Sequence, residues 1–409
     1  MRSRRLLAWL LGAALLAAAM PLPARAEVQH AQPGVGPCKL AGTTGWEDEG
    51  HRTDYDVFLR PIGTLRAVML FVDFPNAPKS AAPAGYRAPE PYFRWLAPAA
   101  DWLARSSYGR LRLVITPVQH WYRMSHDDAA YGISRGLSFA THAAYLREAV
   151  ALADRDVDFS AYDLVYVIPP RNASGITFSP GFIDSTGTAV QADGVALRHG
   201  ATFGQDIWSW GATGFEVLDH ETAHTFGLPD LWAFNPPGAT PDFQAYTGDW
   251  DVMSQINGAA PDFFGWEKWK MGWLRDSQVD CVTARGTTSH RLRPIEQSGG
   301  TKIVVIPTGA TSAYVIESRQ AVYNDATACS TGVLVYTVDS SIITGAGPIR
   351  VLDATPGDPR VGPCSDLDIA TFGGPNRPAT FTDGAAGITI TVARASARAD
   401  VVTVTKRGG

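Results

Sequence analysis

Charge is sparse in this sequence and nowhere gathers into a basic run. Asp, Glu, Lys and Arg make up 18% of its residues, with 40 acids against 35 bases. A net-negative chain without a Lys/Arg-rich stretch has no electrostatic footprint for a polyanion, which excludes ordinary nucleic-acid binding. Long apolar runs are also missing after Met20, so no later segment is expected to span a bilayer. No internal repeat or low-complexity tract suggests a solenoid or a linker. Cysteine is limited to Cys38, Cys281, Cys329 and Cys364.

What is present begins at the N-terminus. Arg2, Arg4 and Arg5 precede an uncharged apolar run from Leu6 to Met20, and "PLPARA" follows with small residues at Ala24 and Ala26. This is the pattern of a secretory signal peptide over residues 1–26, too short for a membrane anchor. "SRRLLAW" also resembles a twin-arginine export signal. Cleavage would lower Lys plus Arg from 35 to 31 against 40 acids, a net charge of −9 where the whole chain has −5. The mature protein is therefore expected to be secreted, extracellular and acidic. An even number of cysteines in an exported chain favours two disulfides, with three pairings open. The expected pairing is Cys329 with Cys364, which share a domain, and Cys38 with Cys281.

Residues 27–60 read as an N-terminal extension. "AVMLFV" (Ala67–Val72) is an apolar run of strand length, buried on both faces. "PYFRWLAPAADWLARS" reads as helix to about Ser107, and "LRLVITPV" (Leu111–Val118) as strand. Phe139, Ala143, Leu146, Val150 and Ala153 recur at helical spacing behind a serine cap at Ser138. Leu164–Ile168 is a third buried strand. Strands alternating with helices indicate an α/β domain over residues 61–280, with a parallel or mixed sheet. Residues 171–214 are rich in Gly, Ser, Thr and Asp and read as loops with one or two strands. Beyond about Cys281 come short β-branched runs, "TKIVVIP", "SAYVIES", "GVLVYTV", "GITITVA" and "DVVTVTK", with no helix after Leu274. Residues 281–409 are therefore expected to form an all-β, sandwich-like domain without recognisable chemistry.

The chemistry is concentrated in "LDHETAHTFGLPDLW" (Leu218–Trp232). His220 and His224 are four residues apart on a predicted helix, so they stack on one face. Two imidazoles so placed can share a zinc ion, and Glu221 can reach a water on it without being a ligand. A catalytic zinc also needs a third protein ligand and an open position. Gly227 can end the helix in the left-handed conformation and return the chain, so that Asp230 supplies the third ligand. Glu267 in "GWEKWKMGW" is the rival for that role. Asp249 and Asp251 in "GDWDVMS" either orient a ligand histidine or cap turns. Of Trp208, Trp210, Trp232, Trp250, Trp266, Trp269 and Trp273, most are expected to be core, with one lining a cleft. Cys38 in "GVGPCKL" has a second reading, as a thiolate that blocks the zinc before activation.

"HETAHTFGLPD" followed by "GDWDVMS" resembles the metzincin zinc peptidases. More closely, "VMLFVDFP", "WDVMS", "FFGWEKWKMGWL", "AYVIESRQ" and "GVLVYTVD" resemble the immune inhibitor A family of secreted bacterial metallopeptidases, over most of residues 65–340. The resemblance implies a metzincin-like fold, zinc ligands at His220, His224 and Asp230, a general base at Glu221, and a Met-turn at Met253. It implies hydrolysis of protein or peptide substrates. Relatives can also hold structural calcium, although no EF-hand-like loop is present here. Two departures stand out. Gln255 occupies a position where some metzincins have a transition-state tyrosine, and no long propeptide precedes the first strand. Two other readings remain open: an exported adhesin-like binding protein with a structural or vestigial zinc, and a metal-dependent amidase acting on cell-wall peptides. Oligomeric state is not readable.

Overall fold

β1 (Gly63–Asp73) organises the first half of the molecule. Its alternate side chains serve two cores: Leu65, Ala67, Met69 and Phe71 enter one, Val68, Leu70 and Val72 the other. That is why the run is continuously apolar rather than alternating. The computed structural model describes residues 35–234, 242–357, 362 and 364–407. The signal peptide expected over 1–26 lies outside the described residues.

Along the chain follow α1 (Leu96–Ser106), β2 (Leu111–Arg123), α2 (Phe139–Ala153), β3 (Leu164–Ile168) and β4 (Gly181–Ile183). A short ladder of β5 (Gln191–Ala192) and β6 (Val195–Ala196) precedes β7 (His199–Thr202), α3 (Phe215–His224) and α4 (Gly265–Lys270). The first sheet has the order β2-β1-β3-β7-β4. Its pairs are parallel except β4 with β7, which is antiparallel. α1 and α3 pack on one face and α2 on the other. Ser138 caps α2 as expected, its Oγ accepting from the Thr141 amide at 3.1 Å. Residues 171–214 hold four short strands, β4 to β7, rather than one or two. Segments of two to four residues offer too few positions for an alternation to show.

The second half is built of strands, with only short 3-10 turns between them: β8 (Val279–Cys281), β9 (Gly286–Leu292), β10 (Ile303–Pro307), β11 (Ser312–Arg319), β12 (Gly332–Asp339), β13 (Ile349–Val351), β14 (Thr380–Asp383), β15 (Ile388–Arg394) and β16 (Asp400–Lys406). They form two sheets, β13-β12-β11-β10-β8 and β14-β15-β16-β9. In β10, Val304 and Ile306 face the outer sheet, while Ile303 and Val305 face back into the core that holds α3. β12 repeats this, with Val333 and Val335 outward and Leu334 and Tyr336 inward. The inner sheet is thus covered on both faces, and the described residues join into one compact unit. The chain is mixed α/β, with several sheets and few helices. None of its described helices is long and apolar enough to cross a membrane.

Two disulfides form, Cys38–Cys281 and Cys329–Cys364. The first rules out Cys38 as a free thiolate over a metal. It closes a loop with a sequence separation of 243 and ties the N-terminal extension to β8. Replacing both Cys38 and Cys281 by Ala is expected to lower stability by about 5 kcal/mol, because the unfolded chain regains the entropy of that long loop. The shift in denaturant midpoint measures it, and an unchanged midpoint would refute it.

Candidate metal centre

α3 ends where its sequence requires. Gly227 takes φ +89, a conformation costly for residues with a Cβ. The Leu228 amide donates back to the Ala223 carbonyl at 3.4 Å, and the Gly227 amide to the His224 carbonyl at 2.9 Å. These two bonds are the Schellman pattern of helix termination. A Cβ on Gly227 would also lie 3.1 Å from Thr53 and 3.2 Å from Phe58 of the N-terminal extension. The reversal turns the Leu228 carbonyl under His224, whose Nδ1 donates to it at 2.9 Å. His220 Nδ1 donates to the Val252 carbonyl at 2.8 Å. A nitrogen facing a carbonyl must carry the proton, so both Nε2 atoms present lone pairs.

Those lone pairs converge. The two Nε2 atoms are 3.2 Å apart, and Asp230 Oδ1 lies 3.1 Å from that of His220 and 3.5 Å from that of His224. Ligands at the usual zinc distances span tetrahedral edges of about 3.3 Å. The donor set therefore fits zinc in kind and spacing. Among the described residues, no second group of His, Cys, Asp or Glu converges in this way. Burial works against ionisation of Asp230, but positive charge on His224 and His220, when both are protonated in place of a metal ion, outweighs it and holds its carboxyl well below the usual range. The Trp232 indole donates to Asp230 Oδ1 at 2.8 Å. The Asp230 amide donates to Thr344 Oγ1 at 2.9 Å, and its carbonyl accepts from the Gly345 amide at 3.0 Å. A loop between β12 and β13 thus positions the third candidate donor.

Glu221 Oε1 stands 4.0 Å from His220 Nε2, too far to share the ligand position and near enough to reach it through one water. Burial pushes its carboxyl up to about 7, against the pull of both histidines. Met253 is fully buried. Its turn is held by Asp251, which takes φ +86 and accepts from the Met253 and Phe264 amides at 2.8 and 2.6 Å. Asp251 is therefore a turn cap and not the partner of a histidine. Asp249 likewise accepts from Ala259 and Gln244. Glu267, the rival ligand, is fully buried on α4 beside Asp251 and Glu49, away from the two Nε2 atoms.

The ligands open into a cleft of about 450 Å³. Trp210 and Trp232 both line it, where one tryptophan was expected, while Trp250, Trp266, Trp269 and Trp273 are buried. Its upper rim is β4, the edge strand of the first sheet. A Cβ on Gly181 would lie 3.2 Å from His224 Cβ and 3.5 Å from Glu221 Oε2, so the strand backbone runs close against the helix. Three charged groups missed in the sequence lie here as well: Glu47, Arg135 and Asp206. Glu47, from the N-terminal extension, sits 3.8 Å behind His224 at Nδ1, and burial raises its carboxyl to about 7. No local pattern marks any of the three. A larger groove of about 580 Å³, lined by Arg105, Tyr108 and Arg293, contains none of the candidate ligands.

No protein-family model matches the chain, and no curated protein matches it in sequence.

Proposed function

We propose that this chain is an exported zinc metalloendopeptidase with a metzincin-like catalytic region, of the kind the immune inhibitor A resemblance implies. The observation that carries this reading is the triangle of donors at 3.1, 3.2 and 3.5 Å with both Nδ1 protons committed to carbonyls. Without a metal ion, protons would take its place: burial opposes charge on His220 and His224, but Asp230 outweighs it and raises both, so the buried site calls for positive charge between the three donors. A structural zinc takes four protein ligands, whereas three with a cleft in front leave a position open. A bare structural site would also have no use for a carboxylate at Glu221.

Bound zinc would supply Lewis acidity toward a scissile carbonyl and lower the pKa of a water. His220, His224 and Asp230 would hold the ion. Glu221 takes the proton of the attacking water and returns it to the leaving amine. β4 presents an unpaired edge beside this carboxylate, so an extended peptide can add to the sheet across the cleft. The two disulfides support export to an oxidising compartment.

Purified protein is expected to hold about one zinc per chain and to cleave casein. A chelator should abolish cleavage and added zinc restore it, while His224→Ala should lose both metal and activity. Zinc bound without cleavage of casein would overturn the endopeptidase reading. Cleavage confined to cell-wall peptides would recast the protein as an amidase.

A further inference from the structure

We propose that Arg135 selects the substrate, docking a carboxylate that the bound peptide carries near its scissile bond; this rests on the peptidase reading above. Arg135 lies on the turn before α2 and lines the same cleft as His220, Glu221 and Asp230. Arg135 is exposed, and its guanidinium lies against aromatic rings. The guanidinium carbon is 4.8 Å from the Phe178 ring centre, 4.9 Å from that of Trp232 and 6.0 Å from that of Phe243. Ring faces attract the cation but leave the in-plane N–H donors free. Among the described residues, Arg135 has no hydrogen bond or ion pair within the usual distances. Asp206 is within electrostatic reach, but its oxygens already accept from the Ser179 amide and hydroxyl and from the Ile207 amide. A planar fork of donors, oriented by rings and open to a cleft, matches a carboxylate in bidentate fashion.

Trp232 sets the distance from the chemistry. Its ring lies against Arg135, and its Nε1 donates to the metal ligand Asp230 at 2.8 Å. A single indole therefore separates the guanidinium from the ligand set. At ~3.3 Å per extended residue, a carboxylate on Arg135 belongs to a position within about three of the scissile bond. Its source is either an Asp or Glu side chain or a free C-terminus.

The test uses the full zinc-loaded protein and peptides that differ only by Glu against Gln within three positions of the cut, each with a free or an amidated C-terminus. kcat/KM is measured on the wild type. Binding is measured by calorimetry on the Glu221→Ala variant, whose turnover is expected to be at least ~10²-fold slower. One carboxylate arm is expected to win by at least about tenfold, the scale of a charge-assisted pair, and the winning arm identifies the source. Arg135→Ala should bring the ratio to near one, and Arg135→Lys, which keeps the charge without the fork, should retain part of it. Equal kcat/KM and equal binding for every pair in the wild type would overturn the assignment, as would an unchanged ratio in folded Arg135→Ala. Carboxylate-dependent binding with no cleavage of any peptide would keep Arg135 in its role and remove the peptidase reading.

Discussion

Glu221→Ala is expected to keep its zinc and its fold and to lose at least ~10²-fold of its rate on casein. The argument begins from position. Glu221 lies on α3 between the two histidines in sequence, and it is 4% exposed. Its carboxylate approaches the ligand set no closer than the 4.0 Å to His220, so removing it leaves the three donors untouched. The histidines stay oriented because their second nitrogens are held by the carbonyls of Val252 and Leu228, and neither bond involves the deleted group. What is lost, on the proposed reading, is the carboxylate that takes a proton from water beside the candidate ligands. A metal assay should therefore read the same in variant and wild type, circular dichroism should overlay, and kcat/KM should fall. A rate within about threefold of wild type would remove Glu221 from the mechanism, since loss of a general base costs far more.

Much of this centre is legible along the chain because it is local. The spacing of His220 and His224 is one helical turn, and Gly227 with Asp230 completes the set within eleven residues. The both-face burial of β1 and the cap at Ser138 are equally local. What supports the site is not. Thr344 and Gly345, which hold Asp230, lie more than a hundred residues away, and Glu47 comes from the other direction. Periodicity shows which side of a segment is buried but not what it is buried against. Arg135 sits in a turn without periodicity at all, and only the tertiary approach of Phe178 and Trp232 gives it meaning. The same blindness explains Glu267. In "GWEKWKMGW" it reads as a rival ligand, yet α4 turns it toward Glu49 and Asp251, and the nearby Gly265 amide donates to Glu317 on β11.

Arg319→Leu is expected to cost about 3–5 kcal/mol of stability, the scale for stranding buried charges by removing their partner. Arg319 on β11 has no solvent exposure. Its guanidinium meets Glu317 and Asp325 at 2.9 Å each, and Glu296 at 3.7 Å. Leucine fills part of the volume but leaves those carboxylates without a cation. The effect should also reach the metal. Arg319 donates to the carbonyls of Ala260 and Asp262 at 3.1 and 2.9 Å. That segment pairs with the Met253 turn, the Asp251 and Val252 amides donating to Ala260 and Pro261 at 3.2 and 2.9 Å. Val252 in turn accepts the Nδ1 proton of His220. Loosening this path frees the ring of a ligand, and outer partners of metal ligands typically contribute ~10–100-fold to affinity. Competition with a chromogenic chelator, at a temperature where the variant is still folded, should show zinc held at least ~10-fold more weakly than in the wild type. Unchanged affinity in a destabilised variant would confine Arg319, and the inner sheet it stands on, to holding the fold together without tuning the ligands.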